Sequence, residues 1–239
     1  MNIDPQTIIG ELVAEDYRTA TVFKNNGIDF CCNGNRTIGE ACEKKHIAIE
    51  TLLESLNKVM VSGNDSVADY NAWPLDLLSD YIEKKHHRYV RAKIKEIVPF
   101  LNKVARVHGD NHPELKEVEQ LFNDSASELS HHMQKEEMIL FPFIRKMLSG
   151  EQASATPPFD TVQNPIEMMK NEHENEGERF RRIAALTNNY IPPVDACNTY
   201  KVSFSILKEF EEDLHLHIHL ENNILFPKAI AMEQEIMGV

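Results

Sequence analysis

No apolar run in the chain approaches the roughly 20 residues that a membrane-crossing helix needs. The opening stretch, MNIDPQTIIGELVAED, has neither a basic start nor the apolar core of a secretory leader. Both absences lead to the expectation of a cytoplasmic protein with no membrane partner. Positive charge is scarce too: 25 Lys and Arg stand against 38 Asp and Glu, a formal net charge of -13. Such a surface repels a nucleic-acid backbone as well as an anionic bilayer, so neither is expected as a partner. Cysteine is too sparse for a disulfide framework, since Cys31 and Cys32 are adjacent while Cys42 and Cys197 are isolated. No stretch reads as a strand. What remains is a 239-residue chain with 42% hydrophobic content, enough to bury a core, and patterned for helices.

Residues 1–58 read as a small helical module of three or four short helices. Asp4-Pro5 is a helix-start signal, Gly27 suits a left-handed cap, and Thr37 with Glu40 fits a capping box. Residues 59–72 lose the apolar period and read as a linker. Residues 73–239 then carry four long amphipathic segments: from Trp73 to about His108, Pro113 to about Leu148, Asn164 to about Asn189, and Asp195 to about Glu235. The expected fold is all-α, a four-helix bundle preceded by a small helical domain.

The bundle segments contain a repeat. HHMQKEEMILFP, from His131, returns as HIHLENNILFP, from His217. Each copy sets a His and a Glu four residues apart, His132 with Glu136 and His217 with Glu221, which on a helix places both on one face. Further back, His87 precedes His132 by 45 residues and His173 precedes His217 by 44. One His-x-x-x-Glu is most often a solvated salt-bridged face. Two copies, each followed by ILFP and preceded by a His at matching distance, point instead to a dinuclear metal centre inside the bundle.

The remaining residues of the motif are sorted by spacing. His131 would pair with Lys135, which cannot bind metal, so His132 is the ligand. His87 is taken over His86 because its distance to His132 better matches that of the second copy. His215 and His219 turn about 200° away from the ligand face by the helical period and should meet solvent or another helix. Glu128, one turn before His132, and Glu172, beside His173, are surface carboxylates by default and candidate orienting or proton-carrying groups by hypothesis. The proline six residues past each Glu should kink or end its helix. Imidazole and carboxylate without thiolate suit iron, zinc, copper or manganese, and a dinuclear bundle site with two carboxylates able to bridge suits iron best. Four His and two Glu carry less negative charge than a four-carboxylate site, so ferric iron is held less firmly and iron is surrendered more readily.

Between the helices of the N-terminal module lies FKNNGIDFCCNGNRTIGEAC. Cys31 and Cys32 read equally well as small buried hydrophobes in a turn or as a reactive pair, its thiol pKa lowered by the helix that starts at Thr37.

Taken together, FKNNGIDFCCNGNRTIGEAC, HHRY, HHMQKEEMILFP, NEHENEGE and LHIHLENNILFP make the chain resemble the iron-sulfur cluster repair di-iron proteins, also called repair of iron centres proteins, over nearly its whole length. The resemblance implies a hemerythrin-like bundle holding two non-haem iron ions with oxo and carboxylate bridges. It places the ligands at His87, His132, Glu136, His173, His217 and Glu221, and the family's paired cysteines at Cys31 and Cys32, as a redox or docking element. It further implies repair of iron-sulfur clusters on client proteins after nitric oxide or peroxide damage, by supplying iron. The other readings are reduction of nitric oxide to nitrous oxide at the same centre, or sensing of O2 or NO. A homodimer is also implied.

Overall fold

The computed structural model describes residues 3–61, 68–149 and 161–238. Residues 62–67 of the expected linker, and 150–160 of the connection between the repeats, lie outside the described residues. Among the described residues there is no strand, only an isolated bridge between Ile8 and Thr37, and no helix is long and apolar enough to cross a membrane. The chain divides into two compact units, Ser79–His217 and, separately, Met1–Leu78 with Ile218–Val239.

The first of these is built on four long helices: α6 (Arg88–His108), α7 (Glu114–Lys135), α9 (Gln163–Leu186) and α10 (Asn198–Leu220), the last three residues of which belong to the other unit. Their buried positions explain why they pack. On α7 they are Leu115, Val118, Phe122, Ser125, Leu129 and His132. On α9 they are Ile166, Met169, His173, Glu176, Phe180 and Ile183. Both sets alternate steps of three and four residues, the spacing that keeps one stripe of a helix facing its neighbours. Along α10, Tyr200, Ser203, Leu207, Phe210, Leu214 and His217 follow the same rule. Phe122, Phe180 and Phe210 form one aromatic layer across three helices, with ring centroids 5.3 to 6.5 Å apart. The histidines of the repeat thus occupy core positions of their helices, and it is the bundle's own packing register that points them inward.

Three of the four long helices have a π-helical turn at one end, and α9, which carries His173, has none among the described residues. The segment α5 (Leu75–Tyr81) passes through Ile82–His87 into α6, α7 through Glu136–Leu140 into α8 (Phe141–Ser149), and α10 through Glu221–Leu225 into α11 (Phe226–Met237). Pro142 and Pro227 therefore do not end their helices, which continue through the π turn into α8 and α11. Proline lacks the N–H for a bond four residues back, and the helix absorbs the loss by widening one turn. The residue before each proline bonds five positions back instead: Phe141 N–H donates to the Glu136 carbonyl and Phe226 N–H to the Glu221 carbonyl.

The other unit holds α1 (Ile9–Glu15), α2 (Thr19–Asn25), α3 (Ile38–Lys45) and α4 (Ile49–Val61), with the chain from Ile218 onward. The capping box at Thr37 and Glu40 is present, and Gly27 takes a left-handed φ of 63°. Asp4-Pro5 does not start a helix. The Asp4 side chain instead accepts the Gln6 amide in a turn, and α1 begins only at Ile9, with no side-chain cap. Helix α4 runs to Val61, into the stretch expected as linker, because Leu52 and Leu56 are buried and carry its amphipathic face.

Candidate metal centre

In the bundle unit, His87 ends its π turn while Glu136 opens the next one. Both are fully buried, and His132, His173 and His217 are at most 3% exposed. Two imidazoles converge on a single carboxylate oxygen: His87 Nε2 stands 3.4 Å and His132 Nε2 3.3 Å from Glu136 Oε2. His132 Nε2 is 3.0 Å from His173 Nε2, and the rings of His87 and His217 are 5.0 Å apart. Donor atoms of His87, Glu136 and His217 lie within 4.8 Å of one another, as do those of His132, Glu136 and His173. Glu136 is common to both sets. Glu221, also fully buried, follows His217 by one turn and opens the third π turn.

These residues fit a pair of transition-metal ions on their chemistry. A fully buried carboxylate costs several kcal/mol unless positive charge balances it, and the groups facing Glu136 Oε2 are imidazole nitrogens, which bind such ions when neutral. The 3.0 Å between His132 and His173 matches two adjacent corners of a six-coordinate ion with bonds of about 2.1 Å. Four imidazoles around the Glu136 carboxylate suit iron, zinc or copper ahead of the hard, oxygen-loving magnesium or calcium.

The far nitrogens of two of these rings are held by carboxylates. His87 Nδ1 is 2.7 Å from Glu137 Oε1, and Arg91 grips the same carboxylate at 2.8 and 2.9 Å. Burial pushes the Glu137 pKa up, but Arg91 and His87 outweigh it and hold the group below its ordinary range. His132 Nδ1 is 2.8 Å from Glu172 Oε2. Mainly through His132, against burial and with help from Lys135, Glu172 is held down at about 2. Each carboxylate can thus accept an Nδ1–H and leave Nε2 free to bind.

Of the two acidic neighbours singled out by sequence, Glu172 sits in this orienting role. Glu128 does not, for its partner is Arg179, at 2.9 Å, and its side chain is half exposed. The stripe of α7 passes through Ser125 and Leu129, which leaves Glu128 on the flank. Glu137 and Glu176 were missed. Glu176 is buried on the core stripe of α9, accepts from Ser125 Oγ at 2.7 Å and is paired with Arg179; burial above all raises its pKa. A charged residue at a core step, three beyond His173, was the available signal. Of the paired histidines, His87 faces Glu136, while His86 turns its Nδ1 to Asp213 at 3.1 Å and stacks on His217. His131 lies outside the cluster, with Nδ1 2.9 Å from the Ser127 carbonyl. A cleft of about 310 Å³, lined in part by Glu128, Lys135 and Glu172, reaches His132 and His173.

In the other unit, Cys31 and Cys32 sit in a loop tied to the turn after Glu221. Asn222 donates to the Cys31 carbonyl at 3.1 Å and Asn223 to the Phe30 carbonyl at 3.2 Å. Close approach of that loop needs Gly10, where an added Cβ would fall 2.4 Å from Asn223 Oδ1. His219, expected to meet solvent or another helix, is buried against Tyr17 and Phe30 and accepts from Asn223 at 2.9 Å. Burial lowers its pKa to about 3. The Cys31 thiol is raised, first by Cys32, then by burial and Asp29. For Cys31 this favours the buried reading over the reactive one, because Cys32, burial and Asp29 outweigh a partial charge at a helix end.

Comparison with known proteins places these observations. Residues 78–229, which include all six candidate ligands, match the hemerythrin HHE cation binding domain, and residues 5–60 match a domain of unknown function, DUF542. The chain is 33% identical over 228 residues to the iron-sulfur cluster repair protein ScdA of Staphylococcus haemolyticus, covering 95% of this chain and 99% of that one. The chain belongs to the hemerythrin-like iron-sulfur cluster repair family. Two further family members, the iron-sulfur cluster repair proteins YtfE of Pectobacterium atrosepticum and Escherichia coli, are each 35% identical, over 94% of this chain and 97% of theirs. In this member of the repair family, α1 to α4 fall in the first match and α6 to α10 in the second.

Proposed function

We propose that this chain is a cytoplasmic di-iron protein that restores iron-sulfur clusters damaged by nitric oxide or oxidative stress, by giving iron to the damaged cluster. The observation that carries this reading is the shared oxygen of Glu136, faced by His87 from one side of the donor set and by His132 from the other. Family membership adds to it, since relatives at 30–35% identity bear the name of iron-sulfur cluster repair proteins.

In this reading His87, His132, Glu136, His173 and His217, with Glu221 one turn after His217, would hold the two irons. Bound iron supplies ferrous-ferric redox chemistry and positions for a diatomic such as NO or O2. The protein's own part is to hold neutral imidazoles with Nε2 turned inward, through Glu137 and Glu172, and to exclude bulk water from the Glu136 carboxylate. Four imidazoles with Glu136 and Glu221 would leave bound ferric iron less compensated than a four-carboxylate site would, which would favour release of ferrous iron. The cleft beside His132, bordered by Glu172 and Lys135, offers a polar way out. Iron-sulfur client proteins are the partners.

The test is repair itself. Anaerobic iron-loaded protein is mixed with a nitric-oxide-damaged iron-sulfur protein, and cluster absorption is followed together with iron lost from the donor. Recovery that keeps pace with iron lost, absent in Glu136→Ala with Glu221→Ala, is the expected result. Many turnovers of NO to nitrous oxide with no iron lost would replace it with the enzymatic reading.

A further inference from the structure

The N-terminal loop holds a second set of donor atoms, which shares no residue with the bundle's. Asp29 Oδ1 accepts the backbone N–H of Cys31 at 3.1 Å, of Cys32 at 3.0 Å and, more weakly, of Asn33 at 3.4 Å, while Oδ2 accepts from Asn33 Nδ2 at 2.9 Å. The loop wraps around this carboxylate, and the wrapping brings both thiols together. Cys31 Sγ lies 3.8 Å from Cys32 Sγ and 3.5 Å from Asp29 Oδ1. The three donor atoms lie within 4.8 Å of one another.

These separations have a chemical meaning. A disulfide needs its sulfurs about 2.05 Å apart, and both cysteines are free thiols. A tetrahedral ion with metal–sulfur bonds of about 2.3 Å and metal–oxygen bonds of about 2.0 Å has sulfur–sulfur edges of about 3.8 Å and sulfur–oxygen edges of about 3.5 Å. Both observed distances fall on those edges. Cys31 is buried and Cys32 partly exposed, so one side of the set is closed by protein and the other is open to an arriving ion. The carboxylate is held in place by backbone amides and cannot swing away, and the loop that carries it is pinned through the Phe30 and Cys31 carbonyls by Asn223 and Asn222.

We propose that Asp29, Cys31 and Cys32 form an open, three-donor site for a divalent thiophilic cation of the zinc or ferrous class. Binding exchanges two S–H bonds for two metal–sulfur bonds. The two thiol protons leave to solvent, no electron moves, and the Asp29 carboxylate gives an oxygen lone pair. Two thiolates and a carboxylate bring three negative charges against two positive ones, and only three protein donors are supplied, so the fourth position stays open. An ion held this way can be passed to another ligand. The proposal does not depend on the function assigned to the bundle, and its readout is a sulfur-specific signal that the all-imidazole and carboxylate centre cannot produce.

The test uses the full, iron-loaded chain with its thiols reduced, titrated anaerobically with Co²⁺. The expected result is a thiolate-to-cobalt charge-transfer absorption that saturates at about one equivalent and is erased by Zn²⁺. Cys31→Ser with Cys32→Ser should remove that band while iron content stays unchanged. Asp29→Asn retains an oxygen for the backbone amides and loses only the acceptor of Asn33 Nδ2, and it should weaken Co²⁺ binding at least about tenfold, whereas Asn33→Ala, which loses that same bond, should not. No band in the wild type, or a band that survives in the double serine variant, overturns the site. Undiminished affinity in Asp29→Asn removes the carboxylate from it.

Discussion

His132 Nε2 stands 3.0 Å from His173 Nε2, with one ring on α7 and the other on α9. Two helices thus present one imidazole each to one point, and the pair should stand or fall together. His132→Ala or His173→Ala should each reduce iron from about two per chain to about one or less, measured by metal analysis on protein purified without added metal. Retention of two irons in either variant would remove that residue from the centre.

The carboxylates behind the imidazoles allow a finer comparison. Glu172→Gln removes the charge that faces His132 Nδ1 at 2.8 Å and should weaken iron binding about 10- to 100-fold, read as faster loss of iron to a chelator. Glu128→Gln breaks only the ion pair with Arg179 and should leave that rate unchanged. Equal rates in wild type and Glu172→Gln would mean that the Glu172 contact does not tune the metal.

Cys197 should be the first of the four cysteines to react with iodoacetamide. It is exposed, and its thiol pKa is lowered chiefly by the backbone amide of Tyr200 and by His108, whose Nε2 is 3.2 Å away. Cys31, by contrast, is buried and raised. Peptide mapping after brief labelling should find the label on Cys197, and a His108→Ala variant should slow it. Labelling of Cys31 ahead of Cys197 would contradict both assignments.

The connection into α7 should make stability depend on pH. His112 faces Glu114 at 3.1 Å and Asp195 at 3.2 Å, lies edge-on to Tyr200, and has a raised pKa, caused first by Asp195 and opposed by burial. A raised pKa means that the folded state holds the proton more tightly. The stabilisation is complete below the ordinary histidine value of 6.5 and disappears as pH rises through the raised value. The Tm gap between wild type and His112→Ala should therefore be wider near about pH 5 than near about pH 9. An equal gap at both would refute the linkage.

Much of this candidate site was legible because the candidate ligands obey the period of the helices that carry them. His132, His173 and His217 fall on the same alternation of three and four as the apolar core, and the repeat doubles the signal. What periodicity cannot express was misjudged or missed. A π turn has no period of its own in the sequence, so the prolines after Glu136 and Glu221 read as stops and not as widened turns. Glu137 reaches His87 from 50 residues away, and no spacing rule within one helix finds it. His219 leaves the ligand face as the helical wheel requires, but a wheel does not reveal that Tyr17 and Phe30 cover it.

The π turns at Glu136 and Glu221 are set by the repeat itself. Each starts at the same glutamate of its copy and each closes on the same Phe-Pro. The proline withholds the same N–H in both copies, so the motif that places a candidate ligand also widens the turn that carries it. Position of the glutamate and shape of its turn are in this way one instruction in the sequence rather than two.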